Sequence, residues 1–298
     1  MAVVGPTATG KSDLAIDLAL RLGGEVVNVD AMQLYRGMDI GTAKVPESAR
    51  RGVPHHLLDV LDVTETASVA AYQRDARALI ERLLARGVVP VLCGGSGLYA
   101  QAIVDELRFP GTSPAIRDRL EREVATRGAA EMHARLSELD PAAAIAILPT
   151  NSRRIVRALE VIELTGEPFS ANLPVPGPAR YGTLMLGLDR EPAALDARVD
   201  VRVQHMFAEG LIDEVRALDG RGLRQGKTAS RALGYQQVLD AIDGDGSMDA
   251  AAEETALATR RFVRRQRSWF RRDGRITWFD AADPDLAARA SDRVQRTP

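Results

Sequence analysis

The first hundred residues alternate between short apolar runs and longer segments whose apolar positions recur at the spacing of a helix. Buried strands are predicted where the apolar runs fall, at Ala2–Val4, Glu25–Val29 and Val88–Cys93. Amphipathic helices are predicted between them, over residues 11–22 and 68–86, and a glycine follows each one. Strands that alternate with helices in this way predict a parallel sheet whose faces are covered by helices.

Beyond residue 97 the pattern changes, and predicted helices follow one another without strands between them. These helices are expected over residues 114–127, 129–139 and 152–164. A Pro/Gly-rich stretch at Leu173–Gly182 closes the region, and a strand predicted at Thr183–Leu188 resumes the sheet. The region is therefore predicted to be a helical insertion between two sheet strands, which divides the chain into a core of residues 1–97 and 183–298 and an insertion of residues 98–182.

Composition narrows the picture mainly by exclusion. The chain has 298 residues, 45% of them hydrophobic, and a formal net charge of −2, which argues against a uniformly basic nucleic-acid binder. The sequence has one cysteine, Cys93, so a disulfide and a cysteine-based zinc site are excluded and a reducing cytoplasm is expected. Because no apolar stretch approaches the ~20 residues that cross a bilayer, neither a membrane span nor a signal peptide is expected.

Directly after the first predicted strand, the chain carries the pattern G-x-x-x-x-G-K-[S/T], which is typical of phosphate-binding loops. Its residues are Gly5, Pro6, Thr7, Ala8, Thr9, Gly10, Lys11 and Ser12. The glycines allow the backbone to wrap around an anion, Lys11 adds a positive charge, and the hydroxyl of Ser12 is suited to bind Mg²⁺. The motif predicts a phosphate site and leaves open whether that phosphate is hydrolysed, transferred or lost as a leaving group.

Two further positions follow predicted strands, where ligands of open parallel sheets bind. Asp30 ends the second strand, and its carboxylate could ligate Mg²⁺ or accept a proton from a nucleophile. The less favoured alternative is that it only caps the next turn. The run Gly94–Gly97 follows the strand at Val88–Cys93 and offers the hydroxyl of Ser96, although such a run is more often a tight turn. The pair His55 and His56 is expected to be structural rather than metal-binding.

Arginine supplies most of the positive charge and is concentrated near the carboxyl end. Between Arg260 and Arg275 eight arginines accompany one acid, Asp273, in a segment where a long helix is predicted over about residues 248–272. Helical spacing brings four of these arginines to one face: Arg260, Arg264, Arg267 and Arg271. A solvated basic face and a surface for a polyanion both fit this pattern. The insertion carries a second basic cluster, compatible with an RNA backbone, at Arg153, Arg154 and Arg157.

Taken together and in order, the motifs closely resemble the bacterial tRNA dimethylallyltransferases, also called tRNA isopentenyltransferases. The segments that carry the resemblance are Gly5–Ser12, Asp30–Lys44, Gly94–Tyr99, Arg157–Glu160 and Arg261–Phe270. The similarity runs from Gly5 to about Phe279, so it covers essentially the whole chain. It implies a parallel sheet of the P-loop NTPase-like type, flanked by helices, with a helical insertion domain.

The resemblance also implies a reaction, which is the transfer of a dimethylallyl group from dimethylallyl diphosphate to N6 of the adenosine 3′-adjacent to the anticodon. The loop would hold the diphosphate, with Lys11 and Mg²⁺ neutralising the charge that grows on this leaving group. Asp30 would accept the N6 proton, and Ser96 would touch the substrate nucleotide. Contacts with the tRNA anticodon stem-loop are expected at Asp30, Ala31, Met32, Gln33, Ser96, Arg117, Arg153, Arg154, Arg157, Arg264 and Arg267.

The resemblance further implies a monomer without a protein partner and, because the needed cysteines are lacking, without the zinc finger of eukaryotic relatives. Two other classes remain open on the residues themselves. A small-molecule kinase shares the strand, loop, helix and acid after the second strand, but the arginine-rich helix disfavours it. An ATP-switched RNA-binding protein is disfavoured because no clear apolar strand ends in a Mg²⁺-binding acid paired with a water-positioning residue.

Overall fold

The computed structural model describes residues 1–172, 177–244 and 246–296, and a parallel sheet lies at the centre of this part of the chain. The strands are β1 (Ala2–Val4), β2 (Gly24–Asn28), β3 (His55–His56), β4 (Val89–Gly94), β5 (Met185–Asp189) and β6 (Ile276–Asp280). They form a six-stranded sheet with the order β3-β2-β4-β1-β5-β6, and every neighbouring pair is parallel. The predicted parallel α/β fold is confirmed.

Helices connect the strands and cover the sheet. In chain order they are α1 (Lys11–Leu22), α2 (Val69–Ala85), α3 (Gly97–Val104), α4 (Pro114–Arg127), α5 (Ala129–Leu139), α6 (Pro141–Ala146), α7 (Ser152–Thr165), α8 (Pro192–Ala208), α9 (Leu211–Asp219), α10 (Tyr235–Asp243), α11 (Met248–Phe270) and α12 (Leu286–Gln295). The arginine-rich segment belongs to α11. A helix of 23 residues spans about 35 Å, so α11 is long enough to pass along the edge of the sheet from which the loops emerge.

The central strand β1 shows why the sheet is covered on both faces. Its side chains alternate, so that Val3 packs in one buried cluster with α1 and α12, while Ala2 and Val4 pack in another with α2 and α3. All three residues are fully or almost fully buried. The strand therefore reads as a continuous apolar run because neither of its faces meets water.

The described chain divides into two compact units, which are residues 1–104 with 179–298 and residues 105–178. The border predicted after residue 97 differs from this division, because α3 packs on α2 in the core. The rings of Tyr72 and Tyr99 lie 4.7 Å apart, and the side chain of Gln73 donates to the carbonyl of Ala102 at 2.9 Å. Ala179 also packs against the core cluster, so the chain rejoins the first unit before the predicted residue 183.

The second unit has a hydrophobic core of its own, formed by α4, α5, α6 and α7. Leu120, Leu136, Ile155 and Leu159 are fully buried in it. The helix α6 was not predicted from the sequence, because six residues are too few to show a helical period. It begins where Asp140 accepts from the amide of Ala143 at 3.0 Å and from Ser170 in the following segment.

No helix in the part of the chain that the structure describes is both long enough and apolar enough to cross a membrane.

Candidate functional site

The loop between β1 and α1 has the backbone of an anion-binding site. Gly5 has φ of 137°, and a Cβ at this position would lie 2.3 Å from the carbonyl oxygen of Leu188. Gly10 precedes α1 in the left-handed region, with φ of 81°, and no side chain caps the helix. The first amides of α1 therefore remain available to an anion, which the positive end of the helix also attracts.

Lys11 lies inside this loop and donates from Nζ to the carbonyl of Pro6 at 2.5 Å. Burial lowers its pKa to about 8, against weaker opposing effects that include the nearby Asp30. Cys93, at the end of β4, faces the same cavity, and burial raises the pKa of its thiol to about 11, so the thiol stays neutral. The loop thus contains a cation whose charge is poorly solvated until an anion joins it.

Arg202 on α8 adds a second cation that the sequence motifs did not reveal. It lines the cavity, and burial lowers the pKa of its guanidinium while the charge of Asp30 opposes this shift. No ion-pair partner for Arg202 is found among the described residues. A partly buried guanidinium without a carboxylate partner is stabilised when a ligand supplies the negative charge. The position lies on an ordinary amphipathic helix, and its spacing from the loop carries no signal in the sequence.

Asp30 follows β2, as the sequence predicted, and its surroundings fix its backbone tightly. The buried side chain of Asn28 accepts from the amide of Asp30 at 2.9 Å and donates to its carbonyl at 2.9 Å. The carboxylate oxygen Oδ1 accepts from the amide of Met32 at 2.9 Å. Asp30 therefore closes the local turn and lines the cavity at the same time. The turn-capping interpretation is confirmed, and the role of Asp30 as Mg²⁺ ligand or proton acceptor stays a prediction.

At the run Gly94–Gly97, which follows β4, α11 comes very close to the backbone. A Cβ on Gly95 would lie 2.3 Å from Nε2 of Gln266, and one on Gly97 would lie 2.2 Å from the ring of Trp269. Ser96 accepts with Oγ from the amide of Ala31 at 3.2 Å. The glycines thus let the helix approach while the serine hydroxyl holds the segment next to Asp30.

The segment after Gln33 forms another wall of the cavity. Nε2 of Gln33 donates to the carbonyl of Thr42 at 3.1 Å. Glu214 on α9 accepts from the amides of Asp39, Ile40 and Gly41 at 3.0, 2.8 and 3.2 Å. A distant carboxylate therefore gathers three consecutive N–H groups and sets the path of this wall.

These features enclose a single cavity of about 1330 Å³ in the first compact unit. The loop, Asp30–Gln33 and Ser96 line its polar side. Apolar side chains also line the cavity, among them Val203, Met206, Leu233 and Phe262, together with polar side chains such as Arg202 and Gln266. The cavity combines an anion loop, a carboxylate and an apolar surface, which suits a substrate that has both a phosphate and a hydrocarbon part.

The arginines predicted to bind tRNA fall into two groups. Arg153 and Arg154 are exposed, and Arg264 is also largely exposed although it pairs with Asp196. By contrast, Arg267 forms a double hydrogen bond with Asp189, at 2.9 and 3.0 Å.

Arg117 and Arg157 both pair with Glu160, whose side chain has no exposed surface, at 2.6 and 2.8 Å. Burial opposes the charge of Glu160, but hydrogen bonds from these arginines bring its pKa below the ordinary value. For Arg117, Arg157 and Arg267 the geometry therefore favours a structural role over the predicted contact with tRNA.

The described residues contain no group of three or more His, Cys, Asp or Glu side chains that could hold a metal ion. The ring of His55 bonds the carbonyl of Val53 at 2.8 Å, and the ring of His56 bonds Glu25 at 2.5 Å. Ser12 lines the cavity beside Lys11. A divalent cation at Ser12 would therefore take most of its oxygen ligands from a bound phosphate and water, which is common for Mg²⁺.

The parallel sheet, the loop and the cavity define an α/β protein of the P-loop NTPase-like class, whose cavity lies at the carboxyl ends of its strands. Residues 33–273 match the family model described as IPP transferase. The chain is 69% identical over 287 residues to the tRNA dimethylallyltransferase of Saccharopolyspora erythraea. The aligned residues cover 96% of this chain and 93% of the relative. The chain belongs to the IPP transferase family, and the resemblance seen in its motifs is confirmed.

Two solved structures support the same assignment. A tRNA isopentenylpyrophosphate transferase from Bacillus halodurans is 40% identical, with a TM-score of 0.73, and covers 99% of this chain and 94% of its own. A eukaryotic dimethylallyltransferase acting on tRNA is 26% identical, with a TM-score of 0.85, and covers 100% of this chain and 79% of its own. The fold is therefore shared across the family at moderate sequence identity.

Proposed function

We propose that this protein transfers a dimethylallyl group from dimethylallyl diphosphate to N6 of the adenosine 3′-adjacent to the anticodon in tRNAs, releasing diphosphate. The observation that carries the proposal is the cavity itself. The phosphate loop with Lys11, the side chain of Arg202 on α8 and the carboxylate of Asp30 all line it. Membership of the IPP transferase family supports it, and a cytoplasmic location is part of the proposal.

The chemistry requires one bond to form as another breaks. The N6 nitrogen of adenine attacks the allylic C1 carbon, the bond from C1 to the diphosphate oxygen breaks with its electron pair leaving on the oxygen, and N6 loses a proton. Asp30 is suited to take that proton because its carboxylate is held in place beside the cavity. Loop amides, Lys11 and Arg202 stabilise the negative charge on the departing diphosphate.

Mg²⁺ fits the donor set of the loop, with the hydroxyl of Ser12 as the protein ligand. When bound, it supplies further positive charge to the leaving group. The apolar wall at Val203, Met206 and Phe262 would receive the hydrocarbon part of the donor and exclude water from the allylic carbon.

The acceptor substrate is tRNA, whose phosphate backbone would be attracted by the exposed arginines of this chain. Arg153 and Arg154 lie on the second compact unit, and Arg264 lies on α11. The target adenine has to leave the base stack of the anticodon loop before it can enter a cavity of this kind. Gln33 and Ser96 line the same cavity near Asp30, where they could contact the adenine edge.

The test is to incubate the protein with Mg²⁺, dimethylallyl diphosphate and an unmodified tRNA that has adenosine 3′-adjacent to its anticodon. Mass spectrometry of the digested RNA should detect N6-dimethylallyladenosine. Asp30→Asn should retain the affinities for both substrates while kcat falls about 10²–10⁴-fold, the range of general-base catalysis. An intact, tRNA-binding protein without product would refute the proposal, and phosphorylation that depends on ATP would favour a small-molecule kinase.

A further inference from the structure

One side chain of α11 connects the two loops that follow the neighbouring strands β1 and β4. Gln266 is 5% exposed and lies between the phosphate loop and the run Gly94–Gly97. Its Oε1 accepts from the amide of Thr7 at 3.0 Å, and its Nε2 donates to the carbonyl of Gly95 at 2.9 Å. These partners are 259 and 171 residues away in the chain.

The polarity of the two partners fixes the kind of side chain that can stand here. A backbone N–H can only donate and a backbone carbonyl can only accept, so the bridging group must carry an acceptor and a donor at once. The amide of glutamine meets this need in a single orientation. A carboxylate retains the acceptor for Thr7 but turns a second oxygen toward the carbonyl of Gly95.

Each bridged loop continues directly into the catalytic groups. Thr7 belongs to the loop that would hold the diphosphate, four residues before Lys11. Gly95 precedes Ser96, whose Oγ accepts from the amide of Ala31, and Ala31 follows Asp30. A continuous set of hydrogen bonds thus runs from the leaving-group loop through Gln266 to the segment that carries the base.

Because the loops are closely packed, they have little freedom to adjust if the two hydrogen bonds of Gln266 are lost. The absent side chain of Gly95 provides the space that the amide of Gln266 occupies. On the same helix, Arg267 pairs with Asp189 at the end of β5, which anchors the neighbouring turn on the sheet. The helix is therefore fixed, and the loops take their positions from it.

We infer that Gln266 is a positioning residue that sets the separation between the diphosphate loop and the loop of Ser96, and thereby aligns the leaving group with the base. This inference rests on the proposed function. Gln266 does not need to touch the substrate for this role, because it acts through the backbone of Thr7 and Gly95.

The experiment compares Gln266→Met and Gln266→Glu with the unchanged protein. Methionine keeps the volume and removes both hydrogen bonds, so KM for dimethylallyl diphosphate should rise about tenfold and kcat should fall about tenfold, with tRNA affinity within about twofold. Binding of inorganic diphosphate with Mg²⁺, measured by calorimetry without turnover, should weaken by a similar factor.

Glutamate gives a signature that a loss of packing would not give. Burial next to a carbonyl oxygen favours the protonated carboxyl, which restores the missing donor. The ratio of kcat/KM between Gln266→Glu and the unchanged protein should therefore rise at least about fivefold from pH 8.5 to pH 6.

Phe270→Leu is the matched control, because Phe270 is buried on the same helix and does not line the cavity. It should lower Tm and leave donor KM and the pH ratio within about twofold. The inference is overturned if Gln266→Met leaves donor KM and diphosphate affinity unchanged, if Gln266→Glu shows a flat ratio, or if Phe270→Leu reproduces the effects. If the unchanged protein neither binds diphosphate nor transfers the prenyl group, the proposed function fails instead.

Discussion

Lys11 is a residue whose charge depends on what occupies the cavity. In the free protein burial lowers its pKa to about 8, well below the value of a lysine in water. A bound diphosphate supplies the opposite charge and favours the protonated amine, so its pKa rises on binding. The two states of the protein therefore differ in proton count only above about pH 8.

This difference predicts proton uptake when the donor binds. Below pH 8 the amine is charged in both states, and no proton is exchanged. As the pH rises through about 8 the free protein loses the proton and must regain it on binding, so affinity should fall by up to about tenfold per pH unit. Calorimetry with dimethylallyl diphosphate in two buffers of different ionisation enthalpy should show uptake near zero at pH 7 and near one proton at pH 9.

Lys11→Met provides the control for this measurement, because it removes the titrating group. Its binding should be weaker at pH 7 and should show no rise in uptake between pH 7 and pH 9. Equal uptake in both proteins would contradict the assignment of the proton to Lys11.

At the scale of elements, α9 and α10 hold the segment of residues 39–44, which contributes Gly41–Ala43 to the cavity wall. Glu214 on α9 accepts from three amides of this wall and from the hydroxyl of Tyr235 on α10 at 2.5 Å. Burial and the adjacent Glu214 raise the pKa of Tyr235 well above its ordinary value, so the phenol stays a donor. A Cβ on Gly41 would lie 2.4 Å from that ring, which explains the glycine.

Glu214→Gln should lower the free energy of unfolding by about 1–3 kcal/mol, because an amide NH₂ would face backbone N–H groups that then lack an acceptor. Urea denaturation followed by circular dichroism measures this. The neighbouring Asp213→Asn is the control, since Asp213 is 85% exposed and should change stability by no more than about 0.5 kcal/mol. Equal losses in the two variants would show that the wall does not depend on Glu214.

At the scale of the whole molecule, the charged side chains are unevenly distributed although the net charge is only −2. Many arginines pair with carboxylates inside the protein, as Arg267 does with Asp189 and Arg117 with Glu160. Arg153 and Arg154 are exposed, so their charges are available to a polyanion. Binding of tRNA should therefore depend on a small number of particular arginines rather than on total charge.

Arg153→Ala combined with Arg154→Ala should weaken tRNA binding and reduce its dependence on salt. Each lost phosphate contact lowers the slope of log K against log salt concentration by about 0.7–0.9, so the double variant should lose about 1.5. Arg127→Ala in the same unit is the control, because Arg127 pairs with Glu131 at 3.3 Å, and its slope should not change. Filter binding between 50 and 200 mM salt, a range over which phosphate contacts are strongly screened, measures both. An unchanged slope in the double variant would exclude these contacts.

The sequence predicted those features that depend on residues close together in the chain. The helix over residues 11–22, the phosphate loop and Asp30 at the end of a strand all follow from local pattern. Gln266 and Arg202 were missed as site residues because their partners are brought near by the fold. Glu214 was missed for the same reason, since it reaches amides 173 to 175 residues away. The predicted border after residue 97 differs from the division into compact units after residue 104, because α3 packs on α2.

The bridge made by Gln266 also has a consequence for the order in which the protein is made. The phosphate loop leaves the ribosome well before α11 does, because 259 residues separate Thr7 from Gln266, and β5 is also made after the loop. Until α11 is made, the loop lacks the amide of Gln266 that supports it, and for much of that time it also lacks β5, which pairs with β1. A nascent chain that stops before α11 therefore lacks an assembled donor site.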